Sequence, residues 1–302
     1  MKNALSKIYK VLLYSSQWNI GIVFTPVSIF LRSKPLIHWF PPSERNTYLA
    51  DPFAVRRKRT LYILCEEYDY RKSKGRIVYF EIKNRNISCK PRVAMEMPFH
   101  ISYPYLFAYQ GRVYCTPETA AAREISLYEA LDFPRDWVKA TTLVSDFAGL
   151  DPTLFRFQGR WWLTATNLDQ GGTNNLYLWH ATGLRGPWKA HTGNPVKTDI
   201  SSSRPAGKPF MHMGHLYRPA QDCTGWYGRR IMLNRVIRLT PTKFREEHAA
   251  TVEPSASDRY PHGLHTISFE DDITLVDGNR FRRVRNAFEL NQNAKSLYHM
   301  FI

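Results

Sequence analysis

The sequence has little from which to build a disulfide framework or a thiolate metal centre. Its four cysteines, Cys65, Cys89, Cys115 and Cys223, are far apart and form no CxxC pair and no Cys/His ligand spacing. Cys65 and Cys115 sit in apolar runs, which points to buried free thiols in a reducing compartment. Long hydrophobic runs are also missing. Ile20 to Leu31 covers 12 residues and contains Pro26, too short to cross a bilayer. Lys2, Lys7 and Lys10 interrupt the first 14 residues, so no signal-peptide core forms there. Both absences point to the cytoplasm, with peripheral attachment to the inner face of a membrane as a further expectation.

Acidic residues are scarce beside basic ones, 26 against 42, which leaves a net charge of +16. Such a chain attracts polyanions: nucleic acid, an anionic membrane face or a phosphorylated substrate. The densest basic runs, Arg56-Arg57-Lys58-Arg59 and Arg280-Phe281-Arg282-Arg283-Val284-Arg285, are short. No helix-turn-helix, zinc-finger or RNP pattern accompanies them, so nucleic acid is not expected as a partner. Long amphipathic helical windows are missing outside the first 14 residues and the C-terminal tail. Ala4, Leu5, Ile8, Val11 and Leu12 suit one short helix, packed on the domain's own core or laid on a membrane.

What the chain does have is 43% hydrophobic and 14% aromatic residues, enough for a sizeable core. It also has an internal repeat. A small or acidic residue precedes Pro, then an apolar strand, a tight turn and an aromatic-rich strand. The copies begin at Asp51-Pro52, Tyr103-Pro104, Asp151-Pro152, Lys208-Pro209 and, most weakly, His265-Thr266. The prolines, with Thr266 in the last copy, are spaced by 52, 48, 57 and 57 residues. Four-stranded propeller blades need about 40–50 residues each. Further strand candidates, Arg76 to Ile82, Ser126 to Ala130, Asn175 to His180 and Arg230 to Leu239, lie between the copies. The expected fold is an all-β, five-bladed β-propeller over 48–286. Segment 1–47 would pack on it or close it, and 287–302 would form a tail.

In a propeller, equivalent positions ring one axis. Asp51, Tyr103, Asp151, Lys208 and His265 should therefore converge on one mouth. The returning hairpin strand should bring Glu66, Glu118, Thr166 and a site near Asp222 to the same mouth. Carboxylates crowded in a partly dry mouth cannot all ionise cheaply, so their pKa values separate. Sugar chemistry uses such a set: one carboxyl moves a proton while another stabilises an oxocarbenium-like state. Asp51, Asp151 and Glu118 are the catalytic candidates. Tyr103, His100, Arg204, Lys208, Arg218, Asp222 and His265 are the substrate-binding ones, with both arginines suited to clamp phosphate or carboxylate. No metal ligand set is legible and no cofactor is certain. His262 and His265 are placed to line the channel or to help hold a structural cation there. Trp161, Trp162, Trp179 and Trp188 are numerous enough for sugar stacking, although at least one of the first pair must be core.

The segments Trp18-Asn19-Ile20-Gly21-Ile22, Tyr48-Leu49-Ala50-Asp51-Pro52-Phe53 and Phe99-His100-Ile101-Ser102-Tyr103-Pro104-Tyr105 resemble the N-terminal domain of the plant glucosamine inositolphosphorylceramide transferases and their bacterial relatives. So do Thr116-Pro117-Glu118-Thr119, Gly186-Pro187-Trp188, Arg204-Pro205-Ala206-Gly207 and Leu216-Tyr217-Arg218-Pro219-Ala220-Gln221-Asp222. The resemblance covers roughly residues 17–270 and implies a part in building glycans. More distantly, Ala-Asp-Pro and Leu-Asp-Pro resemble the five-bladed furanosidase superfamily of arabinofuranosidases and fructosidases. That likeness implies Asp51 as general base and Asp151 as the residue that tunes the acid. The superfamily's acid is a Glu from a further blade. Glu118 is the candidate here, but it precedes Asp151, which weakens simple hydrolysis.

Three readings stand at this point. The first is a glycosyltransferase using a phosphate-activated sugar donor and a glycan or lipid-linked acceptor, favoured by the basic charge. The second is a glycoside hydrolase on furanosides. The third is a non-catalytic carbohydrate-binding propeller.

Overall fold

The computed structural model describes residues 14–44, 46–87 and 90–284. Five sheets, each essentially a four-stranded antiparallel meander, surround one axis. Blade I comprises Thr47–Arg57, Thr60–Asp69, Lys74–Ile82 and Arg92–Met95. Blade II comprises Ser102–Tyr109, Arg112–Glu118, Glu124–Asp132 and Asp136–Ser145. Blade III runs Gly149–Phe157, Arg160–Asn167, Asn175–Ala181 and Lys189–Ala190, with Lys197–Thr198 also pairing its third strand. Blade IV comprises Phe210–His212, His215–Asp222, Arg230–Thr240 and Lys243–Val252.

Blade V closes the ring with both ends of the chain. Ile267–Glu270 and Ile273–Arg283 supply its inner strands, and Tyr14–Val23 and His38–Trp39 its outer ones. Tyr14–Val23 pairs with Ile273–Arg283 over ten residues, from Tyr14 opposite Arg283 to Val23 opposite Thr274. The expected helix of residues 4–14 and the tail 287–302 lie outside the described residues, apart from Tyr14, which begins this strand.

The core lies between blades, because each sheet is apolar on both faces. Adjacent residues of a strand therefore serve different interfaces. Trp161 packs with Leu106, Phe107 and Leu163 between blades II and III, while Trp162 packs with Leu178, Leu216 and Leu239 between blades III and IV. Both tryptophans are core, and Trp179 is buried with them. The Trp188 indole donates to the Leu184 carbonyl at 3.2 Å. None of these four rings forms a sugar platform at the mouth.

The inner hairpins turn tightly through Lys58-Arg59, Gln110-Gly111, Gln158-Gly159 and Met213-Gly214, with positive φ at each Gly and at Lys58, Gln110, Gln158 and Met213. That is the backbone twist short hairpins prefer. The opposite end of each hairpin forms the other mouth of the propeller.

Candidate active site

At that other mouth the X-Pro motifs of three copies make the same distortion. Asp51, Tyr103 and Asp151 have φ of 54°, 42° and 50°. The strand register slips between Ala50 and Phe53, Ser102 and Tyr105, and Leu150 and Thr153. Each is a bulge, which re-aims a side chain at the cost of ladder bonds. Left-handed geometry is strained for these residues, and it persists only where neighbours enforce it. Carboxylates of adjacent blades do so: Asp277 Oδ2 accepts the Asp51 N–H at 3.1 Å, and Glu118 Oε2 accepts the Asp151 N–H at 3.1 Å.

Asp51 is held by one oxygen only. Its Oδ1 accepts the Thr266 hydroxyl at 2.5 Å and lies 3.7 Å from His265 Nε2. Among the described residues no donor reaches Oδ2. Asp151 is fully engaged. Arg204 Nε and the Gln221 amide each donate to Oδ2 at 2.6 Å, and a second Arg204 nitrogen donates to Oδ1 at 3.3 Å. Burial pushes both carboxyls up, each to about 6. His265 restrains the rise at Asp51 and Arg204 restrains it at Asp151.

His265 is buried between two acids, with Nδ1 2.6 Å from Asp277 Oδ2 and its ring stacked on Trp18 at 4.0 Å. Burial alone would lower its imidazole, but Asp277 and Asp51 outweigh burial and lift it to about 9. Asp51, His265 and Asp277 place one ligand atom each within 4.8 Å of one another. Holding a cation there would require His265 to give up its proton, since only the neutral imidazole has a lone pair to offer.

Glu66 is buried, and its Oε1 has no hydrogen-bond partner among the described residues. Burial first, then the charges of Asp51, Glu118 and Asp151, drive its carboxyl well above the usual range. His100 Nε2 lies 3.8 Å from Oε1, and His100 Nδ1 accepts the Gly75 N–H at 2.9 Å. Burial also raises Glu118, with Arg204 opposing it from 3.9 Å. The mouth thus gathers two aspartates and two glutamates whose carboxyls burial pushes up, an imidazole that neighbouring acids push up, and a guanidinium. Tyr227, Trp18, Tyr48 and Tyr68 stand around it: Tyr227 lies under the Arg204 guanidinium at 5.0 Å, and Tyr48 and Tyr68 stack at 5.0 Å.

The family model described as glucosamine inositolphosphorylceramide transferase 1, N-terminal, matches residues 40–263. The chain belongs to this family. Glucosamine inositolphosphorylceramide transferase 1 of Oryza sativa subsp. japonica is 30% identical over 223 residues, covering 71% of this chain and 30% of its own length. The Arabidopsis thaliana protein of the same name is 28% identical over 250 residues, covering 78% and 32%. The chain thus spans about a third of these relatives.

Among solved structures, the family 117 glycoside hydrolase Zg3597 of Zobellia galactanivorans aligns with a TM-score of 0.55 at 15% identity, covering 89% of this chain and 91% of its own. An α-L-arabinofuranosidase of Lactobacillus brevis aligns with a TM-score of 0.57 at 16% identity, covering 82% and 88%. At these identities the likeness is one of fold, and it agrees with the five blades seen here.

In this member of the glucosamine inositolphosphorylceramide transferase family, Asp51, Asp151, Glu118, His100, Arg204 and His265 meet at one mouth. Tyr103 is there too, fully buried, its hydroxyl joining Thr153 Oγ1 at 2.8 Å and the Gly207 N–H at 2.7 Å. It braces blades rather than facing a ligand. Three expected residues fall elsewhere. Lys208 lies two residues closer to its hairpin turn than the repeat alignment assumed. Its Nζ meets the Phe269 carbonyl at 3.3 Å and Glu270 at 3.7 Å, away from the acids. Arg218 is buried against Glu246, at 2.6 and 2.8 Å, and the carbonyls of Ser202 and Ser203. It has no surface to offer a phosphate.

Asp222 pairs with Arg230 at 2.7 Å and caps Thr224. The position that matches Glu66 and Glu118, seven residues after the last residue of the hairpin turn, is Gln221. A one-residue slip sends a strand side chain to the opposite face. Sequence reasoning also missed Asp277 and Thr266 as partners of Asp51, and brought Glu66 to the mouth without placing it among the catalytic candidates. Asp277 lies in the second strand of the fifth copy, two residues nearer its turn than the position of Glu66 and Glu118, so counting from the turn leads to Asn279 instead.

Proposed function

We propose that this propeller transfers a sugar from a phosphate-activated donor to a hydroxyl of a lipid-linked or glycan acceptor, with Asp51 as the base. The observation that carries this reading is the asymmetry between the two aspartates. Asp151 has both oxygens engaged by Arg204 and Gln221, whereas Asp51 keeps Oδ2 free while Thr266 and His265 fix its other oxygen. A carboxylate with one anchored and one open oxygen is oriented to take a hydroxyl proton. Asp151 supplies fixed negative charge opposite an oxocarbenium-like centre. Arg204 and His265 keep positive charge in a dry site where a phosphate departs.

A phosphate leaving group needs no proton, which fits an amide at Gln221 in blade IV. The relatives' name specifies glucosamine transfer to inositolphosphorylceramide, so polyol-phosphate lipids are the first acceptors to try. The reaction would then take place at a membrane face. His265 stands between the two acids, with Nε2 3.7 Å from Asp51 Oδ1 and Nδ1 2.6 Å from Asp277 Oδ2, and adds positive charge beside the base.

Hydrolysis is a second reading, favoured by Glu66, whose carboxyl burial and neighbouring acids push upward, as suits a proton donor to a poor leaving group. Glu66→Gln separates the two. Under transfer from phosphate it lowers the rate modestly; under hydrolysis it abolishes turnover of poor leaving groups and spares activated ones.

A thermal-shift screen against nucleotide sugars, phosphoribosyl diphosphate and free oligosaccharides tests the donor class. A donor at 100 times its Kd stabilises the fold by about 2.7 kcal/mol. Stabilisation by oligosaccharides alone would contradict the reading.

A further inference from the structure

The strand that carries Asp277 into the mouth does not stop there. It runs six residues further to Arg283, about 20 Å at a strand's rise. It stays paired with the first residues of Tyr14–Val23, Tyr14 opposite Arg283 and Ser16 opposite Phe281. The result is a two-stranded ribbon standing on the rim beside the acids. Alternate residues face opposite ways, so Phe281 and Arg283 lie on one face and Arg280 and Arg282 on the other.

Trp226 joins the first face. Its ring meets Phe281 edge-on at 6.3 Å, its indole N–H is anchored on the His262 carbonyl at 2.8 Å, and 44% of its surface is exposed. Arg229 lies over the Trp226 ring at 5.4 Å. Tyr14, at the tip, is 43% exposed.

Elsewhere on this rim arginines are neutralised. Arg71 pairs with Asp69, Arg123 with Asp146 and Asp169, and Arg230 with Asp222 and Glu253. Among the described residues no carboxylate pairs with Arg229, Arg280 or Arg283. Cationic charge and exposed aromatic edge thus coincide at one place.

We propose that this ribbon, with Trp226 and Arg229, docks the protein on an anionic lipid surface with the acidic mouth beside the bilayer. Trp and Tyr settle at the headgroup level, where one edge of the ring is apolar and the other polar. Juxtamembrane arginines add attraction to anionic lipid that falls off within a Debye length. The proposal goes beyond the catalytic reading and does not depend on turnover.

The test is co-sedimentation of the full chain with phosphatidylcholine vesicles and with phosphatidylcholine–phosphatidylserine vesicles. Binding is expected only to the anionic vesicles and should weaken with salt. Arg229→Ala/Arg283→Ala should weaken it about tenfold or more, and Trp226→Ala severalfold. Arg57→Ala/Lys58→Ala/Arg59→Ala, at the opposite end, should leave it unchanged. Thermal unfolding of every variant checks that the fold persists, and Trp226→Ser replaces any that melts early. Equal binding to neutral vesicles overturns the proposal. So does wild-type binding by the rim variants, loss on changing the opposite end, or displacement from vesicles by a single-stranded oligonucleotide that binds more tightly.

Discussion

The Gln221 side-chain amide donates to Asp151 Oδ2 at 2.6 Å, from the strand position that carries Glu66 in blade I and Glu118 in blade II. An amide there favours the ionised form of Asp151; a carboxyl would compete with it for a proton. Gln221→Glu should raise the apparent pKa of the pair by about one unit or more. The acid limb of the pH–rate profile would move to higher pH. A limb that stays in place would show that Gln221 only fills space.

His265 makes stability pH-dependent. Its folded-state pKa is raised from 6.5 to about 9, so its contribution is complete below 6.5 and is lost as pH rises through about 9. Asp51, raised from 3.8 to about 6, has lost its own contribution before that window begins. The gap in melting temperature between wild type and His265→Asn should therefore be widest near pH 6.5 and close towards pH 9. A gap that widens with pH would contradict the assigned imidazolium.

Arg218 is expected to matter for folding and not for the donor. Arg218→Met leaves Glu246 buried, with Lys197 at 2.8 Å as its remaining ion-pair partner. Denaturant unfolding should show a loss of about 3–5 kcal/mol. The KM for the donor should hold. Adding Glu246→Leu should restore much of the stability.

Gly75 makes room for Glu66. A Cβ at Gly75 would lie 2.4 Å from Glu66 Oε1 and 2.7 Å from the Ile101 carbonyl. Gly75→Ala must push the glutamic acid or the backbone aside, at about 1–3 kcal/mol. The rate should fall with the stability if Glu66 contacts the substrate. Unchanged kinetics in a folded variant would place Glu66 outside the reaction.

The blade count was legible because the X-Pro bulge, the type of turn and the aromatic strand recur together, and the backbone needs all three. Asp51 and Asp151 were legible for the same reason. The copies in blades IV and V have lost the X-Pro bulge, so aligning them by proline placed Lys208 two residues from its true equivalent. Asp222 was chosen over Gln221 by a one-residue error, and alternation of faces makes such an error complete. The states of Asp51 and Asp151 could not be read at all. They depend on Arg204, Gln221, Thr266 and Asp277, which come from blades IV and V and meet the aspartates only when the ring closes. Segment 1–47 was expected to pack on the ring or close it, but the strand pairing could not be read because its partners are about 260 residues apart.

The most direct test is single-turnover transfer by wild type and Asp51→Asn, using the donor found by thermal shift and a polyol-phosphate lipid acceptor. The account expects Asp51→Asn to bind the donor as tightly as wild type and to transfer at least about 100-fold more slowly. Transfer at the wild-type rate by a folded Asp51→Asn protein would contradict it.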